Sequence, residues 1–181
     1  DVRSLVVLDP DSGAEVWSRD LTGTSFTAPV LLDNGDVALT NDDGDLEAIS
    51  LSSGKTRWAM PTAFTDPPNG TFLELNKVIV FVPTSRGDPV IAHDAESGAL
   101  LWTQTASGQS GRRGKPLLAG DKVVFGVTPE LHGTPGTVIA LNVTDGGEAW
   151  RHVFNHAVMG QPTAVEDGIL VVAADELLAC D

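Results

Sequence analysis

The sequence has 181 residues, of which 41% are apolar and 6% aromatic. This is enough apolar material to bury a core, and it excludes a disordered or collagen-like chain. The 25 acidic and 11 basic residues give a net charge of −14, which argues against nucleic acid or an anionic membrane surface as a partner. No run is long and apolar enough to predict membrane insertion, and the single cysteine, Cys180, cannot form an intrachain disulfide.

The first predicted element is a hairpin near the start of the chain. An apolar strand reaches Asp9, a polar turn follows at Ser12 and Gly13, and Trp17 comes four residues after the glycine. Asp and Ser side chains fold back onto nearby backbone amides, and glycine supplies the positive φ of a tight turn. The pattern therefore predicts two antiparallel strands joined by this turn.

The same pattern recurs three times along the chain. In each copy a small residue lies ten positions before the tryptophan, a short polar residue eight before it and a glycine four before it. The later copies end in Gly54 and Trp58, Gly98 and Trp102, and Gly146 and Trp150. We expect each indole to contact the same point of a neighbouring unit, where its N–H can reach a carbonyl.

The repeat period predicts the architecture. Successive tryptophans are 41, 44 and 48 residues apart, which matches a four-stranded propeller blade. Two further strands precede each later motif, for example 72–75 and 78–82 with a turn at Asn76 and Lys77, and no stretch has a sustained helical period. The sequence thus predicts an all-β fold, a β-propeller of four-stranded antiparallel blades with about four blades present. The predicted units are third and fourth strands over 1–21, complete blades over 26–60, 71–105 and 115–154, and first to third strands over 161–181.

The repeated motif resembles Ala-x-Asp-x-x-Thr-Gly-x-x-x-Trp, the tryptophan-docking motif of the pyrroloquinoline quinone (PQQ)-like β-propeller repeat family. The copies here have Ser or Asp in place of Thr, and the resemblance covers essentially the whole chain. It implies that the four tryptophans and the motif glycines hold neighbouring blades together. The family includes quinoprotein dehydrogenases, the β-propeller lipoprotein of the outer-membrane barrel-assembly machine, and sensor or scaffold domains without a cofactor.

The two ends of the chain bear on the number of blades. Both 5–8 and 178–181 align with the third strand of a blade, so joining the ends would give one third strand too many. By the resemblance, we expect a segment of a propeller of seven or eight blades, with the remaining blades supplied elsewhere. The alternative is a closed four-bladed ring in which residues 1–8 lie outside the sheet.

Three loops are candidates for contact with a partner. Arg112, Arg113 and Lys115 concentrate basic charge around the glycine-rich connection 107–114, which predicts contact with an anion or acidic protein, or alternatively a solvated loop. Phe64 lies in a proline-containing loop and is predicted either to contact a partner or to cover a blade edge. His132 lies in the insertion 128–137, which either carries specificity or reflects loop drift.

The histidines do not predict a metal site. His93 falls in a predicted strand, where we expect a core residue. His152 and His156 have the spacing of a metal pair on a helix, but the local pattern is a strand followed by a loop. No catalytic motif is present, and a single cysteine cannot form the adjacent cysteine pair that the resemblance implies for quinoprotein dehydrogenases.

These observations predict a non-catalytic scaffold that binds a protein partner or the remaining propeller blades, with no cofactor. The resemblance implies an extracytoplasmic location, either periplasmic or secreted. The alternative function is a fragment of a PQQ- and calcium-dependent quinoprotein dehydrogenase, with PQQ and calcium as its cofactors.

Overall fold

The computed structural model describes residues 3–21, 27–41, 44–61, 69–84, 87–105, 111–129, 135–158, 161–166, 168–173 and 176–180. The helices and strands assigned in these ranges are all β-strands. The strands form five sheets that follow one another along the chain, and the strand pairs are antiparallel. The described residues include no helix with the length and hydropathy needed to cross a bilayer.

The sheets are built from strands that are neighbours in sequence. The first pairs β1 (Arg3–Leu8) with β2 (Glu15–Leu21). The second contains β3 (Val30–Leu31), β4 (Asp36–Thr40), β5 (Leu46–Ser50) and β6 (Thr56–Met60). The third contains β7 (Gly70–Leu75), β8 (Val78–Pro83), β9 (Val90–Asp94) and β10 (Leu100–Gln104). The fourth contains β11 (Gly111–Arg113), β12 (Leu117–Ala119), β13 (Lys122–Pro129), β14 (Thr137–Asn142) and β15 (Glu148–Val153). The fifth contains β16 (Thr163–Val165), β17 (Gly168–Ala173) and β18 (Glu176–Cys180).

Strand β8 shows how the sheets are stacked. Ile79 and Phe81 join the apolar cluster shared with the second sheet, whereas Val80 and Val82 join the cluster shared with the fourth. All four side chains are at most 1% exposed. Because successive side chains in a strand point to opposite faces, a strand that is buried throughout has a sheet on each side.

A separate apolar cluster fills each interface between successive sheets. Leu5 and Trp17 of the first sheet contact the cluster around Ile49 of the second, and Ile169 of the fifth contacts the cluster around Val124 of the fourth. The sheets are therefore the blades of a β-propeller, and the predicted fold class is confirmed.

The strand pairing at the two ends of the chain is not that of a closed ring, in which strands from both ends would form one blade. A blade formed by joining the ends would pair β1 with β17. Among the described strands, β17 instead pairs with β16 and β18, and β1 pairs with β2.

The predicted turn between β7 and β8 is found at Asn76 and Lys77, which both have positive φ, 53° and 66°. The connection predicted over 107–114 is partly a strand, because β11 pairs with the far end of β13. Strands β11 and β12 both pair with β13, so one long strand supports two short ones in succession.

Candidate interaction site at the blade interfaces

Two of the four docking turns share one side-chain hydrogen-bond arrangement. Asp9 Oδ1 accepts bonds from the Ser12 N–H at 2.8 Å and from Ser12 Oγ at 2.7 Å. Asp94 Oδ1 accepts the same pair from Ser97, at 2.8 and 2.6 Å. These bonds, with the serine hydroxyl the larger cause, hold the pKa of both carboxyl groups below the ordinary value. An aspartate three positions before a serine thus closes the turn through its carboxylate.

Three of the four indoles are docked on the turn of the following blade. Trp17 Nε1 donates to Leu51 O at 2.6 Å, Trp58 Nε1 to Ala95 O at 3.2 Å, and Trp102 Nε1 to Val143 O at 2.8 Å. Each acceptor is the residue directly after the short polar residue of the next motif. These acceptors are backbone carbonyls, so residue type does not identify them. Their constant position in the motif could have been used to predict them.

The motif glycines lie under the same indoles. A Cβ at Gly98 would be 2.6 Å from Trp58 Cε3, and one at Gly146 would be 2.5 Å from Trp102 Cε3. Gly54 is less tightly covered, at 3.2 Å from Trp17 Cε3. The glycine therefore provides both the positive φ of the turn and the space for the ring.

Trp150 and Gly13 each lack the other half of this docking contact. Trp150 has no turn to dock on, and Gly13 has no indole above it. Trp150 is 37% exposed, against 8% for Trp58, and its Nε1 has no partner in the described part of the chain. Nothing lies within 4 Å of a Cβ built on Gly13. Because the acceptors lie 34, 37 and 41 residues after the docked tryptophans, the corresponding acceptor for Trp150 falls outside this sequence.

Exposed side chains flank both unmatched halves. Leu8 is 57% exposed, although Ile49 and Leu141 at the equivalent position are at most 2% exposed. Val16 is 60% exposed in the strand that follows Gly13, and His152 is exposed on the same face of β15 as Trp150. We call the Leu8, Gly13 and Val16 surface the first end face, and the Trp150 and His152 surface the last end face.

The basic cluster is placed differently from the prediction. Arg113 is in β11 and only 6% exposed; its Nη1 donates to Pro83 O at 3.3 Å and its guanidinium lies 5.9 Å from the centre of the Phe125 ring. Burial lowers the pKa of this guanidinium. The prediction of a surface contact through Arg113 is corrected, because a buried side chain cannot meet a partner.

The other predicted contact residues remain predictions. Lys115 is exposed, whereas Arg112 lies in β11 with its side chain outside the described part. Phe64 and His132 lie outside the described residues. Of these residues, Lys115 is the one whose side chain the structure describes, and it lies at the surface.

A family model described as outer membrane protein assembly factor BamB matches residues 1–69, 42–132 and 88–180. Among curated proteins, "Putative dehydrogenase XoxF" of Paracoccus denitrificans is 42% identical in an alignment over 67 residues that covers 34% of this chain and 11% of that protein. BamB from Moraxella catarrhalis has a similar structure, with a TM-score of 0.64 and 21% identity over 95% of this chain and 53% of that chain. A europium-containing methanol dehydrogenase has a TM-score of 0.60 and 21% identity over 76% of this chain and 26% of that one. The chain thus spans about half of BamB and a small part of the dehydrogenases, and the structural likenesses show the fold alone.

The prediction that this chain has no cofactor is contradicted by the comparisons. A curated relative is named a dehydrogenase, and one similar structure is a europium-containing enzyme. The described residues themselves contain no group of three or more His, Cys, Asp or Glu side chains that could hold a metal ion. They do not fit a metal-bound redox group by themselves, and no chemical step follows from them.

Proposed function

This chain belongs to the PQQ-like β-propeller repeat family, and we propose that it acts in a protein-interaction scaffold outside the cytoplasm. The observation that supports this function is the pair of unmatched docking halves on the end faces. Inside the chain the same interface buries an indole against a turn glycine three times in succession. A blade or protein that offers a tryptophan to Gly13, or a glycine turn to Trp150, continues that stack.

The exposed apolar area strengthens the proposal. Leu8 on the first end face leaves apolar surface in water that the inner blades bury at the equivalent Ile49 and Leu141. Covering one such side chain is worth about 1.5–3 kcal/mol. We therefore expect the partner on each end face to be a β-blade, either from the rest of a larger propeller of seven or eight blades or from another protein.

Photoreactive amino acids at Leu8 and His152 test this function in the whole protein that contains the chain. Crosslinks from both positions should reach residues outside 1–181. The matched control is Leu31, which is 63% exposed in an inner blade. If Leu31 gives as many such crosslinks as the end faces, the proposed contact surfaces are wrong.

A second candidate function is favoured by the 42% identity to XoxF over 67 residues. In this case the chain is a structural segment of a dehydrogenase, and ligands of the redox group come from outside the described residues. Dye-linked oxidation of methanol by the whole purified protein would support it. A Trp150→Ser variant distinguishes the two functions, since it should weaken crosslinking at His152 whether or not the protein oxidises methanol.

A further inference from the structure

Strand β10 is the outer edge of the third sheet. Within the part of the chain that the structure describes, it pairs with β9 alone. The first strands of successive sheets contact one another, β3 with β7 and β12 with β16, so the last strand of each sheet lies on the outside. An edge strand points every second N–H and C=O away from its single neighbour. The outer edge of β10 therefore offers backbone hydrogen-bonding groups to an extended chain.

Strand β10 differs from the other outer strands in its lack of charge. Its sequence is Leu-Leu-Trp-Thr-Gln, whereas β2, β6 and β15 each contain at least one charged side chain. Leu100 is 60% exposed and Leu101 is 47% exposed. Because charged side chains on an edge strand oppose pairing with another chain, β10 is the one of these four strands without that protection.

A cleft of about 290 Å³ runs beside β10, between the second and third sheets, and is open to solvent. Met60 lines it from the second sheet, and Ile91, Leu100 and Thr103 line it from the third. The lining is mainly apolar. Since an apolar cavity of about 150 Å³ admits benzene, the cleft has room for one leucine or phenylalanine side chain.

Polar contacts occupy the equivalent place between the first and second sheets. Arg19 and Met60 each lie two positions after a motif tryptophan. Arg19 donates to Glu47 Oε1 at 2.8 Å and to Thr56 Oγ1 at 3.0 Å. Between the second and third sheets, Met60 instead meets an apolar surface.

The fourth sheet also has an ion pair where β10 is uncharged. Glu148 and Arg151 lie at the motif positions of Leu100 and Thr103, and Arg151 Nε donates to Glu148 Oε1 at 2.6 Å. The cleft beside β10 thus lacks the ionic groups found at both neighbouring interfaces.

The charge near β10 indicates the charge of a partner. The whole chain carries −14, and the turn that leads into β10 contains Asp94 and Glu96. Glu96 pairs with Lys77, whereas the Asp94 carboxylate accepts bonds from Ser97. These groups leave one net negative charge beside the strand, which attracts a basic residue.

We propose that β10 binds an extended segment of a partner protein that has an apolar residue at its centre and basic residues at its ends. The segment pairs with the free edge as an added strand, and its apolar side chain fills the cleft. This surface is separate from the two end faces, so the contact is available whether the chain acts as a scaffold or as a segment of a dehydrogenase.

Synthetic peptides test this contact in the whole protein that contains the chain. The probe is fluorescently labelled Lys-Thr-Val-Leu-Val-Thr-Lys, and its binding is measured by anisotropy. Replacing its leucine by serine should weaken binding about tenfold or more, as expected for one buried apolar side chain. Replacing both lysines by glutamate should also weaken binding, and this loss should shrink at high salt.

N-methylation of the probe tests strand pairing itself. Two forms carry N-methyl groups on alternate residues, so the methyl groups face β10 in one form and face away in the other. One form should bind like the unmodified probe, and the other should not bind. Binding of the unmodified probe should slow hydrogen exchange in β10 but not in β6 or β15. No binding by the unmodified probe, or equal binding by the two methylated forms, would overturn the proposal.

Variants of the protein locate the contact. Leu100→Glu introduces the residue found at the equivalent Glu148, and Leu100→Glu combined with Thr103→Arg reproduces the ion pair with Arg151. Because Leu100 is 60% exposed, both variants should fold, and both should weaken binding of the probe about tenfold or more. Leu31→Glu, at a position that is 63% exposed in the second sheet, is the matched control. Unchanged binding in the folded Leu100 variants, or an equal loss in the control, contradicts the proposed site.

Discussion

At the scale of single residues, a docking glycine meets two requirements, a positive φ and space for the indole. Substitutions at different glycines can distinguish them. Gly146 and Gly13 both have a φ of +69°, but a Cβ would meet the Trp102 ring only at Gly146. Alanine at either position incurs the left-handed backbone cost of about 1–2 kcal/mol. Gly146→Ala should lose about 1–3 kcal/mol more through overpacking. Urea denaturation measures both losses, and Gly35→Ala, with a φ of +80° and an open Cβ site, is the control within an inner blade. Equal losses at all three positions would show that the indole contact contributes nothing.

His93 predicts a pH dependence of stability. Its folded pKa lies below the ordinary value of 6.5, because burial outweighs the opposing bond to Gly98 O. As the pH falls below about 6.5, the unfolded chain takes up a proton that the folded chain does not, so the free energy of unfolding falls. The slope for this one group is at most about 1.4 kcal/mol per pH unit. Between pH 7.5 and 5.5, wild type should therefore lose more stability than His93→Leu, and parallel losses would contradict the neutral buried ring.

The residues of the docking motif were predictable because their spacing repeats. The three docked tryptophans and the glycines beneath them could be assigned an interface from register alone. The hydrogen bonding of His93 through only one ring nitrogen could not be predicted. The sequence shows a histidine in an apolar position but not which ring nitrogen contacts a carbonyl. Arg113 was predicted incorrectly for a similar reason. Its polarity indicates a surface, whereas its burial against Phe125 comes from a neighbouring strand.

At the scale of elements, the β7–β8 hairpin contains a turn residue in an unfavourable conformation. Lys77 has a φ of +66°, a region that glycine adopts freely and a lysine does not. Its Nζ donates to Glu96 Oε1 at 2.6 Å, but both side chains are exposed and such pairs contribute little. Lys77→Gly should therefore raise the urea midpoint relative to Lys77→Ala, which removes the same ion pair and keeps the Cβ. If the alanine variant is the more stable of the two, backbone strain at this turn is not significant.

The fourth sheet shows why some elements escape sequence analysis. Strand β8 was predicted from the apolar run 78–82, which needs no tertiary information. Strand β11 has the sequence Gly-Arg-Arg, which has no strand periodicity, and it exists because the far end of β13 supplies hydrogen-bonding partners. A long strand thus imposes β structure on a segment whose own composition indicates a loop.

At the scale of the whole molecule, each blade contacts only its neighbours, so stability should vary along the chain. Inner blades are covered on both faces by apolar clusters, whereas the first sheet has two strands and one covered face. In such an arrangement the terminal units open at a lower free energy than the inner ones. Hydrogen exchange should therefore be fastest in β1 and β2, and slowest in β8, β9, β13 and β14.

The same experiment at two protein concentrations separates an open end face from a covered one. If copies of the chain dock through Trp150 and the Gly13 turn, protection of β1 and β2 should rise with concentration and approach that of the inner strands. Trp150→Ser is the matched variant, because it removes the exposed indole while Trp17, Trp58 and Trp102 stay docked. Concentration-independent exchange in both proteins would mean that the end faces do not associate with each other.

Uniform protection of all strands at low concentration would contradict the prediction that each blade is stabilised only by its neighbours. It would indicate that the blades unfold as one cooperative unit.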